Sequence, residues 1–142
     1  MLQDKQSKAT YMVLDVAKKE ITCKFVKKKA KNISIPATIK EKGVTYKVTG
    51  IGKNVFKGNK KVRKITLSSN VKTIGKMAFY GCKNLKTIII KSTKLTSKTV
   101  SKNAFKGISK ETIVKVPKKK WKAYKKLFRS KGLSSKVKVK KY

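Results

Sequence analysis

The most regular feature of this sequence is a set of short segments in which branched apolar residues alternate with polar ones. Ile65 and Leu67 flank a threonine, and Val114 and Val116 flank a lysine. A period of two is typical of a strand that buries one face and exposes the other. Val and Ile together outnumber Leu 25 to 7, which favours strands over a helical bundle. The pattern therefore predicts a protein rich in β structure.

These segments belong to a longer repeat, because the same anchor residues return at constant spacing. Three full copies start at Ile51, Ile74 and Val100, and all anchors of a copy keep the same offset from those of the copy before. Each copy carries a phenylalanine, a glycine two residues later, and then the alternating segment. The anchors of the three copies are Ile51, Phe56, Gly58, Ile65 and Leu67, then Ile74, Phe79, Gly81, Ile88 and Ile90, then Val100, Phe105, Gly107, Val114 and Val116. A partial copy lies upstream, with Ile33, Ile35 and Ile39 in the places of Ile65, Leu67 and Val71.

A repeat of about 20 to 30 residues with one short strand per copy predicts a leucine-rich-repeat-like solenoid. Its short parallel strands would be joined by short helical or irregular arcs, and the glycine after each phenylalanine marks a sharp turn. Phe56, Phe79 and Phe105 would stack into a column. An insertion after the partial copy predicts a further strand from Val44 to Val48, after a turn at Gly43.

Both ends of such a stack expose apolar surface and are expected to be capped. Residues 1–9 are predicted to be a flexible start, and residues 10–32 a β-hairpin that caps the N-terminal end. In its second strand Ile21, Cys23 and Phe25 alternate as one apolar face. The repeat solenoid would occupy residues 33–116.

Residues 117–142 are predicted to form a C-terminal cap of a helix and a strand. Trp121, Tyr124, Leu127 and Phe128 recur at helical spacing after Pro117. Gly132 fits the left-handed position after the helix, with Leu133 contacting Phe128 across it. Val137 and Val139 alternate with lysine, as in a short final strand.

The string IGKxxFxGCxxLKxIxI, which starts at Ile74, resembles the BspA-like leucine-rich repeats of bacterial surface proteins. The resemblance spans about residues 33–116 and weakens in the third copy, where Glu111 replaces the apolar residue held by Val62 and Leu85. It implies a secreted or wall-associated module used for adhesion and protein binding. It implies no single ligand, so no binding residue is assigned from the family.

The net charge of the chain indicates which class of partner it can bind. The chain carries 41 Lys and Arg against 5 Asp and Glu, a net charge of +36, and only two of the basic residues are Arg. Bidentate recognition of phosphates or bases favours Arg, whereas a lysine surface suits diffuse attraction or simple solvation. We expect attachment to an anionic polymer, such as a cell-wall polymer or an acidic glycan, or to a host or bacterial surface protein. The alternatives are non-specific nucleic-acid binding and a passive structural spacer.

Two sets of residues are candidate contacts. The outward residues of the predicted sheet would form a ligand face of Lys64, Thr66, Thr87, Ile89, Ile113 and Lys115. The lysines around the start of the predicted helix would contact polyanions, and they are Lys118, Lys119, Lys120 and Lys122. Trp121 and Tyr124 interleave with these lysines, which also fits a nucleic-acid stacking platform or a membrane-surface helix. Their shared apolar face favours the capping helix.

Catalytic chemistry has little support in this composition. The chain has no His, its five carboxylates are scattered, and Cys23 and Cys82 form no metal-ligand pattern. We therefore expect no enzyme activity, cofactor or metal, and two buried, unlinked thiols.

The location follows from the resemblance and from two absences. No segment approaches the roughly 18 apolar residues of a membrane span. The first twenty residues lack the apolar core of a secretory signal. We expect an extracellular or cell-wall-associated protein, whose signal peptide has been removed or lies outside this chain.

Overall fold

A computed structural model describes residues 1–142, and its strands form two sheets. The strands and the single α-helix are β1 (Leu2–Asp4), β2 (Ala9–Asp15), β3 (Glu20–Val26), β4 (Asn32–Ile35), β5 (Thr38–Glu41), β6 (Val44–Ile51), β7 (Lys64–Leu67), β8 (Thr73–Ile74), β9 (Thr87–Ile90), β10 (Ile113–Val116), α1 (Trp121–Ser130) and β11 (Lys138–Lys141). A 3-10 turn, Lys118–Lys120, precedes α1.

The five-stranded sheet contains the strand of every copy, in the order β11-β10-β9-β7-β4, and all of its pairings are parallel. Ile33 pairs with Ile65, Ile65 with Ile88, and Ile88 with Val114. These pairings are the register predicted by the offsets between equivalent anchors of the copies. The paired residues are buried while their strand neighbours are at least partly exposed, so the alternation also holds.

The last strand of this sheet continues the repeat beyond Pro117. Val114 pairs with Val139, and the interval between them is the same as that between Gly107 and Gly132. The segment expected to act as a C-terminal cap therefore includes the strand of a diverged further copy, whose turn region has been replaced by α1.

The segments that lead away from the start of each copy, here called arcs, are residues 53–58, 76–81 and 102–107. They consist of turns and contain no helix. Phe56 stacks on Phe79 and Phe79 on Phe105, both at 5.3 Å between ring centroids, and Phe128 from α1 extends the column at 4.5 Å. The phenylalanine column is thus confirmed, and all four rings are fully buried. Gly58, Gly81 and Gly107 have φ between 68° and 77°, the left-handed turn that the sequence predicts.

Backbone hydrogen bonds join one arc to the next. The N–H groups of the first arc donate to carbonyls of the second at 2.7–3.1 Å, in the pairs Asn54 to Lys76, Phe56 to Ala78 and Gly58 to Tyr80. Phe79 and Gly81 donate from the second arc to the third in the same way. Each arc therefore uses its N–H groups toward the following copy and its carbonyls toward the preceding one.

The second sheet is mixed and has six strands, in the order β1-β2-β3-β6-β5 with β8 also paired to β6. β2 and β3 form the hairpin expected near the N terminus, and β5 and β6 form the hairpin that turns at Gly43. Parallel pairing of β3 with β6 joins the two hairpins, which the sequence analysis did not predict. Residues 1–9, expected to be a flexible start, contain β1, which pairs with β2 and leaves Ser7 and Ala9 buried.

Phe25 departs from the expected apolar face of the hairpin. Ile21 and Cys23 are fully buried, but Phe25 is 59% exposed. The pairing of β2 with β3 shifts by one residue here, since Thr10 pairs with Phe25 while Tyr11 pairs with Cys23. The extra residue is a bulge that reverses the alternation, so that Val26 packs against the core in place of Phe25.

The C-terminal helix packs by the face that its spacing predicts. Tyr124 and Phe128 are buried, and Trp121 and Leu127 are partly buried against the core. Beyond the helix the N–H of Gly132 donates to the Arg129 carbonyl, and the N–H of Leu133 donates to the Phe128 carbonyl. Gly132 has a φ of 99°. These are the two hydrogen bonds of a Schellman motif, which satisfy carbonyls of the last turn.

Candidate ligand-binding surfaces

The outward residues of the five-stranded sheet, here called the sheet face, form two rows across the strands. One row is Asn32, Lys64, Thr87, Ile113 and Lys138, and the other is Ser34, Thr66, Ile89, Lys115 and Lys140. The structure therefore brings the six candidate residues of the predicted ligand face together, in adjacent strands and in register.

The sheet face has an apolar centre and a basic surround. Ile89 and Ile113 are partly exposed, whereas Lys64, Lys115, Lys138 and Lys140 are exposed. Neither row contains an acidic residue. An apolar centre inside a polar rim is the general arrangement of protein interfaces, and here the only charged residues of the rim are lysines.

The size of the sheet face limits what it can bind alone. Five strands about 4.8 Å apart and about 13 Å long cover an area of about 250 Å². A stable protein–protein interface buries about 800 Å² on each partner. The face by itself is therefore suited to weak contacts or to one part of a longer ligand.

The second candidate set lies on the 3-10 turn and the first turn of α1. Lys118, Lys119 and Lys122 are exposed, and Lys120 is partly buried. This is an open cluster of positive charge at a helix N-terminus, where the macrodipole opposes cations. Nothing in the structure neutralises it, because no acidic side chain lies in the first turn of the helix.

Trp121 is engaged within the chain. Its indole N–H donates to the Val139 carbonyl at 2.7 Å. The ammonium groups of Lys125 and Lys141 lie 5.2 and 5.0 Å from the ring centroid, within cation–π range. The contacts with Val139 and Lys141 join α1 to β11, and they favour the packing role of this side chain over that of a stacking platform.

The positive charge is almost uncompensated in three dimensions. Only two ion pairs form, Lys72 with Glu20 at 2.9 Å and Lys86 with Glu111 at 3.0 Å. Two aspartates instead accept backbone N–H groups in turns, Asp4 from Ser7 and Asp15 from Lys18. The great majority of the 41 basic side chains therefore have no acidic partner.

The two cysteines are free and buried. Burial raises the pKa of both the Cys23 and the Cys82 thiol to about 12. Cys82 also donates to the Phe56 carbonyl at 3.1 Å. Thiols with such a pKa stay protonated and are poor nucleophiles. No group of three or more His, Cys, Asp or Glu side chains is placed to hold a metal ion, and no helix has the length and apolar content to cross a membrane.

One basic site was missed by the sequence analysis. A groove of about 660 Å³ runs between the end of β3 and the first arc, and six lysines line it, namely Lys24, Lys28, Lys53, Lys57, Lys60 and Lys61. We call it the lysine groove. Its two walls come from well-separated segments of the chain, and their lysines look like the many others in the sequence. The only local signal was Phe25, an aromatic residue where the bulge opens the strand.

The in-register strands, the arcs and the phenylalanine column together define a leucine-rich-repeat-like fold. A sequence model of the BspA type leucine rich repeat region matches residues 22–141, in six copies. The chain therefore belongs to the BspA-type leucine-rich repeat family. The six copies extend into the segments at both ends that the sequence analysis placed outside the repeat, in agreement with the position of β11.

Two solved structures share this fold. One is a leucine rich cell surface protein from Faecalibacterium prausnitzii A2-165, with a TM-score of 0.60 and 22% identity over 82% of this chain. The other is a leucine-rich repeat protein from Bacteroides ovatus ATCC 8483, with a TM-score of 0.58 and 20% identity over 84% of this chain. The chain covers only 36% and 38% of their respective lengths. No curated protein matches the chain in sequence.

Proposed function

We propose that this chain is a non-enzymatic binding module of a bacterial cell-surface protein, located outside the cell or at the wall, which adheres to anionic polymers. The observation that carries the proposal is a net charge of +36 with two ion pairs, displayed on a repeat fold. The family, and the description of one similar structure as a cell surface protein, support the location.

The mechanism is multipoint electrostatic attachment. Lysine ammonium groups neutralise phosphate, sulfate or carboxylate groups and release the counterions condensed on the polymer. The sheet face and Lys118, Lys119, Lys120 and Lys122 form part of the attachment surface. Because the sheet face covers only about 250 Å², a polymer that crosses several patches fits better than one globular partner.

We also propose that the terminal elements cap a solenoid. The β2–β3 hairpin covers β6 at one end, and α1 covers Phe105 with Phe128 at the other. Without these elements the apolar column and sheet edges would be open to solvent. Because the caps cover the apolar ends, attachment takes place through the lysine surface and not through exposed apolar surface.

The test is a salt titration of binding to three polyanions of matched charge density: duplex DNA, heparin and a phosphate-rich wall polymer. Affinities should be comparable, and log K should fall linearly with log salt concentration. Three variants that each remove three charges should lower affinity by similar factors: K64Q/K115Q/K140Q, K118Q/K119Q/K122Q and the remote control K91Q/K110Q/K136Q.

Three results would contradict the proposal. Absence of binding at physiological salt would support the passive spacer. DNA bound hundreds of times more tightly than the other polymers would support the nucleic-acid binder. Loss of all binding in one triple variant would indicate a shaped site instead of diffuse attachment.

A further inference from the structure

The column of arcs has an open end at the first arc. In the second arc, the carbonyls of Lys76, Ala78 and Tyr80 accept N–H groups from the first. The equivalent carbonyls of the first arc belong to Lys53, Val55 and Lys57 and accept no hydrogen bond from this chain. Because the arcs are stacked copies, these three carbonyls point away from the second arc, toward the position of a preceding one.

The lysine groove occupies that position. Its walls meet where the Gly52 N–H donates to the Cys23 carbonyl at 2.8 Å. Beyond this hydrogen bond β3 carries its bulge, and no preceding arc stacks on Lys53–Gly58 from this side. The groove is lined on one side by Lys53, Val55 and Lys57, the residues that carry the open carbonyls, and on the other by Phe25 and Val26.

Charge determines which ligand can enter. Six of the twelve lining residues are lysines and none is acidic. A second copy of this chain, itself at +36, would be repelled. An acidic ligand gains from every lysine, and Phe25 and Val55 offer apolar contact, since Phe25 is 59% exposed.

We propose that the lysine groove binds an acidic peptide segment of a partner protein, in the turn conformation of an arc. The backbone N–H groups of the segment donate to the open carbonyl row of the first arc and so add one more rung to the column. Its carboxylates pair with the groove lysines, and an apolar side chain lies against Phe25. This site is separate from the sheet face and goes beyond diffuse polymer attachment.

The spacing of the carbonyls favours a peptide over a sugar polymer. Lys53, Val55 and Lys57 are two residues apart, and a peptide that takes the turn conformation of an arc presents N–H groups at the same interval. Asn54, Phe56 and Gly58 already make this pattern of contacts on the other side of the first arc. The hydroxyl groups of a glycan carry no such backbone period.

The experiment measures binding of a labelled acidic decapeptide, in which Glu alternates with Val and one central Val is Phe, at physiological salt. Its matched control has the same sequence with the five central amides replaced by esters, which keeps the charge and removes the donors. The protein variants are K24Q/K28Q/K60Q in the groove, the remote K91Q/K110Q/K136Q, and F25S. Thermal melting of each variant verifies the fold.

The amide peptide should bind at least about tenfold more tightly than the ester, because several backbone hydrogen bonds are lost. The groove triple variant and F25S should weaken peptide binding by about tenfold, whereas the remote triple variant should change it less than about threefold.

Equal binding of ester and amide, or equal effects of the two triple variants, would overturn the inference. Polymer attachment would then still stand if heparin and DNA bind, so the two proposals fail separately. The inference would also be overturned if the groove triple variant lost more affinity for heparin than for the peptide. That result would indicate that the groove binds a glycan.

Discussion

Single residues in this protein matter most where the repeat imposes an unusual backbone conformation. The second residue of each arc lies in the left-handed region, with φ of 63° at Asn54, 56° at Met77 and 59° at Asn103. Asn tolerates this conformation well, but an unbranched apolar side chain is strained there. Met77 is only partly buried and contributes little packing in exchange.

We expect Met77→Asn to stabilise the fold by about 0.5–1 kcal/mol, because the left-handed conformation costs Asn less than Met. Urea unfolding of the variant and the wild type measures the difference. The reverse change, Asn103→Met at the equivalent position, should lower stability by a similar amount. A destabilised Met77→Asn variant would show that the methionine side chain contributes more by packing than the backbone loses by strain.

Cys82 gives a prediction about pH. The unfolded thiol loses its proton near its ordinary pKa of 9.0, whereas the buried thiol keeps it to a pKa of about 12. Between these values the unfolded state binds fewer protons, so stability falls as pH rises and is unaffected below about pH 8.

The Cys82→Ala variant lacks the thiol and therefore its titration, so it is the reference for the wild-type protein. The stability advantage of the wild type over the variant should shrink by about 1 kcal/mol between about pH 9 and pH 10. Comparing the two proteins cancels the effect of lysine deprotonation over the same range. A constant difference between them would show that the Cys82 thiol is accessible to solvent in the folded state.

At the level of elements, stability depends to a large extent on contacts between copies. Phe79 touches Phe56 and Phe105 but no ring of its own copy. Each arc likewise makes its ladder of hydrogen bonds to a neighbouring arc. A cavity at one ring of the column therefore removes packing contacts from both neighbouring copies.

Phe79→Ala should cost about 3–5 kcal/mol, a large part of the total stability of a domain of this size. Phe25→Ala is the matched control, because it makes the same change at an exposed position and should cost less than about 1 kcal/mol. Urea titration of both variants gives the comparison. Similar costs at the two positions would contradict the assignment of the column as the core of the fold.

For the whole molecule, charge sets the balance between folding and self-repulsion. A net charge of +36 on 142 residues repels more strongly in the compact state than in the expanded chain. The two ion pairs offset little of this, and the pair of Lys86 with Glu111 is largely exposed, where such pairs contribute little.

Added sodium chloride should therefore raise the free energy of unfolding, because salt screens charges beyond about 8 Å at physiological strength. Sulfate or polyphosphate at equal ionic strength should raise it further, since each ion bridges several lysines. The measurement is a urea midpoint at increasing salt. Stability that stays constant or falls with salt would show that the few ion pairs outweigh the repulsion.

The strands and their register could be predicted from the sequence. Ile65, Ile88 and Val114 occupy the same position in successive copies, and the alternation around each of them indicates that it faces the core. The phenylalanine column and the end of α1 at Gly132 were predictable for the same reason: burial and a left-handed turn each demand particular residue types. The grouping of the six sheet-face residues followed directly from that register.

Tertiary structure was needed for the features that depend on distant segments. Pairing of β3 with β6 and of β1 with β2 leaves no periodic signal, since many strands of similar composition could pair. The bulge that exposes Phe25 is a one-residue shift that alternation cannot reveal. The lysine groove exists because no arc precedes Lys53–Gly58. Its lysines are drawn from two separate segments, and in the sequence they are indistinguishable from those that only face solvent.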